Sequence, residues 1–308
     1  MTAVPTAPVP MTRGGIEAAV LRTLAYADVF DFALREPELH RWLIRHAATP
    51  GEVTRTLAVM GGAVIRRDGI VALPDREALI AERQARRRIA ARTWPAALRY
   101  AQAVGSLPVV RMVAVTGALA VGNATAGADI DLLVVTEPGR VWLARAGTIA
   151  IVRYAARKGE ELCPNYFLAE HALAMDDGDL YGAHELTQMV PVTGFGVYGR
   201  LRAANPWAAG YLPNATGAPL DGRARRQPAL GRARPVAEVV LRTPLGGVAE
   251  AWEQRKIARF RAGALQLGVT REAGFSPDRC KGHLDGHGAR IRAAYEVRCR
   301  ALGLEPLW

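Results

Sequence analysis

Val115-Thr116-Gly117-Ala118-Leu119-Ala120-Val121-Gly122-Asn123, a run of small residues from Ala124 to Ala128, then Asp129-Ile130-Asp131-Leu132-Leu133-Val134-Val135: this stretch decides how the chain is read. The apolar run from Pro108 to Thr116 predicts a strand ending at Gly117, and Asp129 to Val135 predicts a second one. Residues two apart on a strand project to the same side, so Asp129 and Asp131 stand together about 6–7 Å apart along the chain, with Ile130 turned to the core. Two carboxylates converging at a strand end can hold one or two hard divalent cations. Gly117 allows close backbone approach to a ligand, and a helix beginning there would aim free N–H groups at a phosphate. A metal-binding pair beside a phosphate cradle is what in-line nucleotidyl transfer requires: metal neutralises the triphosphate, activates the attacking hydroxyl and stabilises the departing pyrophosphate.

Downstream, Gly139 to Arg157 predicts a helix and Leu162 to Leu168 a third strand, giving an α+β sheet domain over residues 108–195. Upstream, after a tail at 1–13, helical spacing at Ile16 to Tyr26 and at Glu36 to Ile44 predicts two helices. A third is expected after the start signal Thr49-Pro50-Gly51-Glu52. Two β segments joined by Asp68-Gly69 complete a winged-helix-like module over 14–75. Such a module either enters a DNA groove or serves as a docking or structural unit. Its third helix offers only Arg55 as a phosphate or base contact, which favours the structural or regulatory use. Residues 76–107 read as a helical linker whose charge run, Glu82 to Ile89, is either a solvated face or a strip for phosphates. From about residue 183 the pattern is helical again, and 196–308 is expected as a helical C-terminal region interrupted by an arginine-rich loop at 217–235.

The length of 308 residues suits two or three domains, and a chain that is 50% hydrophobic and 22% charged can bury a core. The longest apolar candidate for a membrane span, Val141 to Ala156, carries Arg145 and Arg153, so no span is expected. The Pro/Thr/Ala-rich start lacks the apolar centre of a signal peptide. Cys163, Cys280 and Cys299 are too few and scattered for a disulfide framework, so the expected compartment is the cytoplasm. The net charge of +11 is almost all arginine, with lysine only at 158, 256 and 281, and favours anionic partners without choosing among nucleotides, nucleic acid and acidic membrane.

The pattern Gly-small, ten residues, then Asp-hydrophobic-Asp-hydrophobic resembles the signature of the DNA polymerase beta-like nucleotidyltransferase superfamily. The wider run through Tyr26–Phe32, Thr116–Val135, Cys163–Leu168 and Ala183–Pro191 resembles a group of bacterial proteins within it. The resemblance implies a nucleotidyltransferase-type mixed sheet flanked by helices, and transfer of a nucleoside monophosphate from a nucleoside triphosphate to an unknown acceptor. It implies that Asp129 and Asp131 hold Mg²⁺, that Thr116, Gly117, Ala118 and Asn123 line the nucleotide, and that a third carboxylate acts as base or ligand. Glu170 is the expected third acid, with Asp176, Asp177 and Asp179 as loop alternatives. Ala118 departs from the Ser or Gly usual there and removes a hydroxyl from the phosphate loop. Nucleic acid is the less favoured partner. The rival reading is a non-catalytic nucleotide-sensing or DNA-binding regulator with a degenerate transferase core.

Away from this segment, Cys280, His283 and His287, with Cys299 further on, are weighed as zinc ligands against a surface loop or flap, and the loop is favoured because Gly282, Gly286 and Gly288 oppose a regular helix. His184 reads as a partly buried, satisfied histidine. Asn165 and Tyr166 lie on the third strand, where packing explains the tyrosine as well as nucleotide contact does.

Overall fold

Three helices and three short strands begin the chain: α1 (Ile16–Asp28), β1 (Leu34–Arg35), α2 (Glu36–Arg41), α3 (Pro50–Val59), β2 (Ile65–Arg67) and β3 (Ile70–Ala72). The computed structural model describes residues 15–176, 178–219, 238, 239, 241, 243–268, 273–282 and 287–308. The tail, Asp177, His283 and residues 220–235 of the arginine-rich stretch therefore lie outside the described residues. α3 starts where its signal predicts. Thr49 accepts from the Glu52 backbone N–H, and the Glu52 carboxylate accepts from Thr49 N at 2.7 Å, a reciprocal capping box behind Pro50. The β2–β3 hairpin turns on Asp68 and Gly69 at φ 51° and 72°, the left-handed pair that a two-residue turn of this hand requires. The small sheet has the antiparallel order β1-β3-β2.

The long helix α4 (Ala78–Gly105) leads to β4 (Val110–Val115), α5 (Gly117–Ala120), β5 (Ile130–Thr136), α6 (Val141–Ala156), β6 (Leu162–Ala169), α7 (Leu180–Gln188) and β7 (Val190–Thr193). The remaining elements are α8 (Phe195–Ala203), α9 (Ala208–Tyr211), α10 (Pro244–Gln254), α11 (Lys256–Gln266), β8 (Ala273–Ser276), β9 (Arg279–Gly282) and α12 (His287–Ala301). The second sheet has six strands in the order β7-β4-β5-β6-β9-β8, with β5 and β6 parallel and every other pair antiparallel. The chain is thus a mixed α+β protein with helices on both sheet faces.

Two stretches differ from the helical expectation. Val190-Pro191-Val192-Thr193 leaves α7 as an edge strand, where three β-branched residues favour extension and Pro191 is tolerated. Residues 273–282, expected as helix or loop, form a β8–β9 hairpin on the far edge. Residues 76–107 are a layer of the core rather than a linker: Ala90, Trp94, Ala97, Tyr100 and Val104 of α4 pack under the sheet.

Side-chain alternation sorts the central strand into two cores. Ile130, Leu132 and Val134 of β5 face α4 and α6, while Leu133 and Val135 face the core shared with α1 and α7. That second core runs without a break from the N-terminal module through the sheet to Ile291, Tyr295 and Cys299 of α12. The N-terminal module, the sheet and the C-terminal helix thus share one hydrophobic core.

Arg83 of α4 holds the N-terminal module against the sheet. Its guanidinium is fully buried, pairs with Glu38 of α2 at 2.8 Å, donates to the Gly122 carbonyl at 2.5 Å and lies over the Phe32 ring. Arg86, from the same charge run, donates to the Asp31 carbonyl at 2.8 Å. The run is therefore neither a solvated face throughout nor a bare phosphate strip, although Arg87 and Arg88 are exposed. Removing one member of a buried ion pair strands the other, so Glu38→Gln is expected to cost about 3 kcal/mol, read as a lower urea midpoint at unchanged slope.

Candidate active site

Asp131 is an odd-numbered residue of β5, and alternation turns it toward the face on which the N-terminal module docks. Parallel register sets Cys163 of β6 directly beside it. The register then slips: Leu132 pairs with Pro164 and Leu133 with Tyr166, so Asn165 is an extra, bulged residue. The bulge aims the Asn165 amide at Asp131, and Nδ2 donates to Oδ1 at 3.0 Å. Gly117 closes the other side. Its φ of 66° lies in the left-handed region, and a Cβ there would collide with the Asp131 carboxylate. A side chain here would strain the turn and force the Asp131 carboxylate to move.

One ligand atom from each of Asp129, Asp131 and Cys163 can be chosen so that all lie within 4.8 Å of one another, and among the described residues these three form the one such group. The donor set fits a divalent cation electrostatically as well. Burial, and then the negative charges of Asp129 and Glu185, push the Asp131 carboxyl up to about 7. Burial, and then the two aspartates, push the Cys163 thiol up to about 12. A cation relieves the repulsion that raises the acid. Thr116, next to Gly117, is buried and its Oγ1 has no hydrogen-bond partner.

These residues line one end of a cavity of about 680 Å³. Thr116, Gly117, Ala118 and Asn123 line it too, so the residues expected around the nucleotide converge with the two aspartates. The Asn123 amide is occupied, donating to the Phe30 carbonyl at 3.0 Å. The opposite wall comes from the N-terminal module: Tyr26, Ala27, Phe30, Phe32 and Trp42. Tyr181, His184, Glu185 and Gln188, at helical spacing on α7, supply a third side.

Glu170 is not part of this assembly. β5 and β6 run in parallel, Asp131 is level with Cys163, and Glu170 follows Ala169, which is level with Thr136. The carboxylate therefore belongs to the opposite end of the sheet, roughly 20 Å away by strand rise, where it pairs with Arg200. The expected third acid is corrected accordingly. A carboxylate one strand-length too far along the chain cannot reach the aspartates. Asp176 pairs with Arg279, and Asp179 caps α7 by accepting from Gly182 N at 2.8 Å. The additional acid in the cavity is Glu185, which the sequence reading passed over. The signal was present as four hydrogen-bonding residues at positions 181, 184, 185 and 188 of one helix face. Cys280 is buried in β9 and Cys299 in α12, and neither joins a metal-ligand group among the described residues.

No family model, curated protein or solved structure matches the chain.

Two outcomes test this geometry. Gly117→Ala should weaken Mn²⁺ binding by about tenfold or more, because the left-handed turn and the Asp131 collision each disfavour the present arrangement. Electron paramagnetic resonance reads that affinity, with circular dichroism checking the fold. Asp131 holds its proton more tightly in the folded state than in the unfolded one. The contribution of Asp131 to the stability of the metal-free protein should therefore be fully present below the ordinary aspartate range and be lost as pH rises through about 7, so the difference between wild type and Asp131→Asn in thermal unfolding should change over that window.

Proposed function

We propose that this protein is a divalent-metal-dependent nucleotidyltransferase, with a winged-helix-like module serving as one wall of its active site. The observation that carries the reading is the Gly117 turn packed against Asp131, with Asp129 beside it, at the end of a cavity in the size range of small-molecule sites. Mg²⁺ or Mn²⁺ held by Asp129 and Asp131 would neutralise the triphosphate and polarise the reacting oxygens.

The chain's own groups divide the remaining work. The bare backbone at Gly117 and the small Ala118 let the phosphates approach the main chain. Asn165 fixes the orientation of Asp131. The acceptor hydroxyl oxygen bonds to the α-phosphorus as the bond from that phosphorus to its bridging oxygen breaks. The electron pair leaves with pyrophosphate, and the hydroxyl proton passes to the Glu185 carboxylate. Glu185 thus takes the part for which Glu170 was expected. The outer face of α3 exposes Arg55 beside Glu52 and Thr54, a poor surface for a phosphate backbone, which favours the enzyme over the DNA-binding regulator.

The test supplies α-labelled nucleoside triphosphates, Mg²⁺ and a small-molecule extract as the source of acceptor. Label transfer with pyrophosphate release should vanish in Asp131→Asn, fall by about 10²–10⁴ in Glu185→Gln, and persist in Glu170→Gln. Absence of transfer in the unmodified protein, combined with salt-sensitive binding of duplex DNA, would favour the regulator instead.

A further inference from the structure

The cavity is lined by two chemically different sets of residues, one from the sheet (its sheet end) and one from the N-terminal module (its module end). At the sheet end are the aspartates, Cys163 and the Gly117 turn. The N-terminal module contributes Tyr26, Ala27, Phe30, Phe32, Leu34 and Trp42, the module end of the cavity. Tyr26 is itself stacked on His184, with ring centroids 4.1 Å apart and planes 9° from parallel. Planar groups in this arrangement suit an aromatic guest, which stacks against faces and edges already held in place.

Charge narrows the guest further. The chain has 40 lysines and arginines, yet none of the described lining residues is one of them. Its basic groups are His184 and His287, and burial holds His184 down to about 3, so that ring is neutral. An acceptor carrying phosphates would find no lysine or arginine among the described lining residues, Arg83 being engaged by Glu38 behind the Phe32 ring, and a polycation would have to shed its hydration against aromatic rings. The wall does contain unsatisfied polar atoms. Trp42 Nε1 and His184 Nε2 are both buried without a hydrogen-bond partner. Because Gln188 Nε2 lies 3.0 Å from His184 Nδ1 and donates to it, the proton of the neutral ring sits on Nε2. Both orphan groups are therefore N–H donors, enclosed by protein on side chains that line the cavity.

We propose that the module end of the cavity seats the acceptor, and that the acceptor is an uncharged aromatic small molecule bearing a hydroxyl group. This rests on the nucleotidyl-transfer reading for the word acceptor, while the ligand class rests on the wall itself. In the transfer, the guest's hydroxyl oxygen is the atom that bonds to the α-phosphorus, and its proton goes to Glu185. That residue follows His184 on α7 and also lines the cavity. The N-terminal module is then the specificity element of the enzyme rather than a nucleic-acid reader.

Calorimetric titration of the full chain with 7-hydroxycoumarin and 2-naphthol, in the presence of Mn²⁺, tests the inference. Saturable one-to-one binding is expected. Phe30→Ala should weaken it by about tenfold, the order of one lost aromatic contact. Ala27→Phe, which adds a ring at a lining position, should abolish it. Mn²⁺ affinity should be unchanged in both, and since Phe30 is only half-buried its truncation leaves a folded protein to measure. Probe binding that survives alongside the α,β-methylene analogue of ATP supports separate acceptor and nucleotide ends. Mutual displacement would mean that the wall holds the nucleobase, and would overturn the acceptor assignment. Failure of both probes to bind, or binding of kanamycin or an oligonucleotide that is lost in Phe30→Ala, would overturn the ligand class. Probe binding without any Mn²⁺ binding would instead sink the transferase reading and uphold the ligand class.

Discussion

The cavity exists because a buried guanidinium joins three separate pieces of chain. Arg83 reaches from α4 to Glu38 on α2 and to the carbonyl of Gly122, just after α5. It acts beside other polar ties to the module that carries Phe30, Phe32 and Trp42, among them Arg86 on the Asp31 carbonyl and Arg298 on Asp28. A charge buried among aromatic rings is tolerated when its hydrogen-bonding capacity is met, and here a carboxylate and two carbonyls meet most of it. The directionality of those bonds sets where the module stands, which apolar contact alone leaves adjustable. Asn123 adds a further tie to the same module through the Phe30 carbonyl.

Local rules made much of the fold legible. Thr49 with Glu52 fixes the start of α3, Asp68-Gly69 fixes a hairpin, and the alternation after Asp129 fixes which face each β5 side chain takes. These are short-range effects, decided within a few residues. Gly117 and Asp131 were readable for a related reason: a turn that admits no Cβ beside a carboxylate leaves its mark in residue type. Failures came where distance in sequence had to be converted into distance in space. Glu170 looked right because it closes a strand, but whether a strand end is near or far from Asp131 depends on parallel register, which only the sheet reveals. The β8–β9 hairpin was missed because its strands gain their stability from pairing with β6 across more than a hundred residues of chain. Glu185 was missed because one acid on a mostly apolar helix has meaning only once the helix faces Asp131.

The bulge at Asn165 shows how a sequence detail becomes chemistry. Cys163-Pro164-Asn165 interrupts the β5–β6 ladder with a proline that has no N–H to donate and a residue that has no partner. The interruption costs ladder hydrogen bonds but turns an amide toward Asp131, where a regular strand would have alternated it away. Asp131 then has a neutral donor on one side and a bare glycine backbone on the other. Burial, and then its negative neighbours Asp129 and Glu185, raise its proton affinity.

The aromatic wall and the acidic end are therefore parts of one device rather than two features sharing a space. An apolar wall lowers the local dielectric, which strengthens every charge interaction at the sheet end. It raises the proton affinity of Asp131 when the end is empty, and it magnifies the attraction for a divalent ion when the proton has left. In the proposed transfer, the same wall would keep water from competing with a bound hydroxyl for the activated phosphorus, which would favour transfer over hydrolysis. On this reasoning the hydrophobic residues of the module set both the strength of the acidic site and the choice of nucleophile. Polar substitutions in the wall should then weaken the metal site even where they never touch it, whereas Phe30→Ala, which stays apolar, alters shape without altering that field.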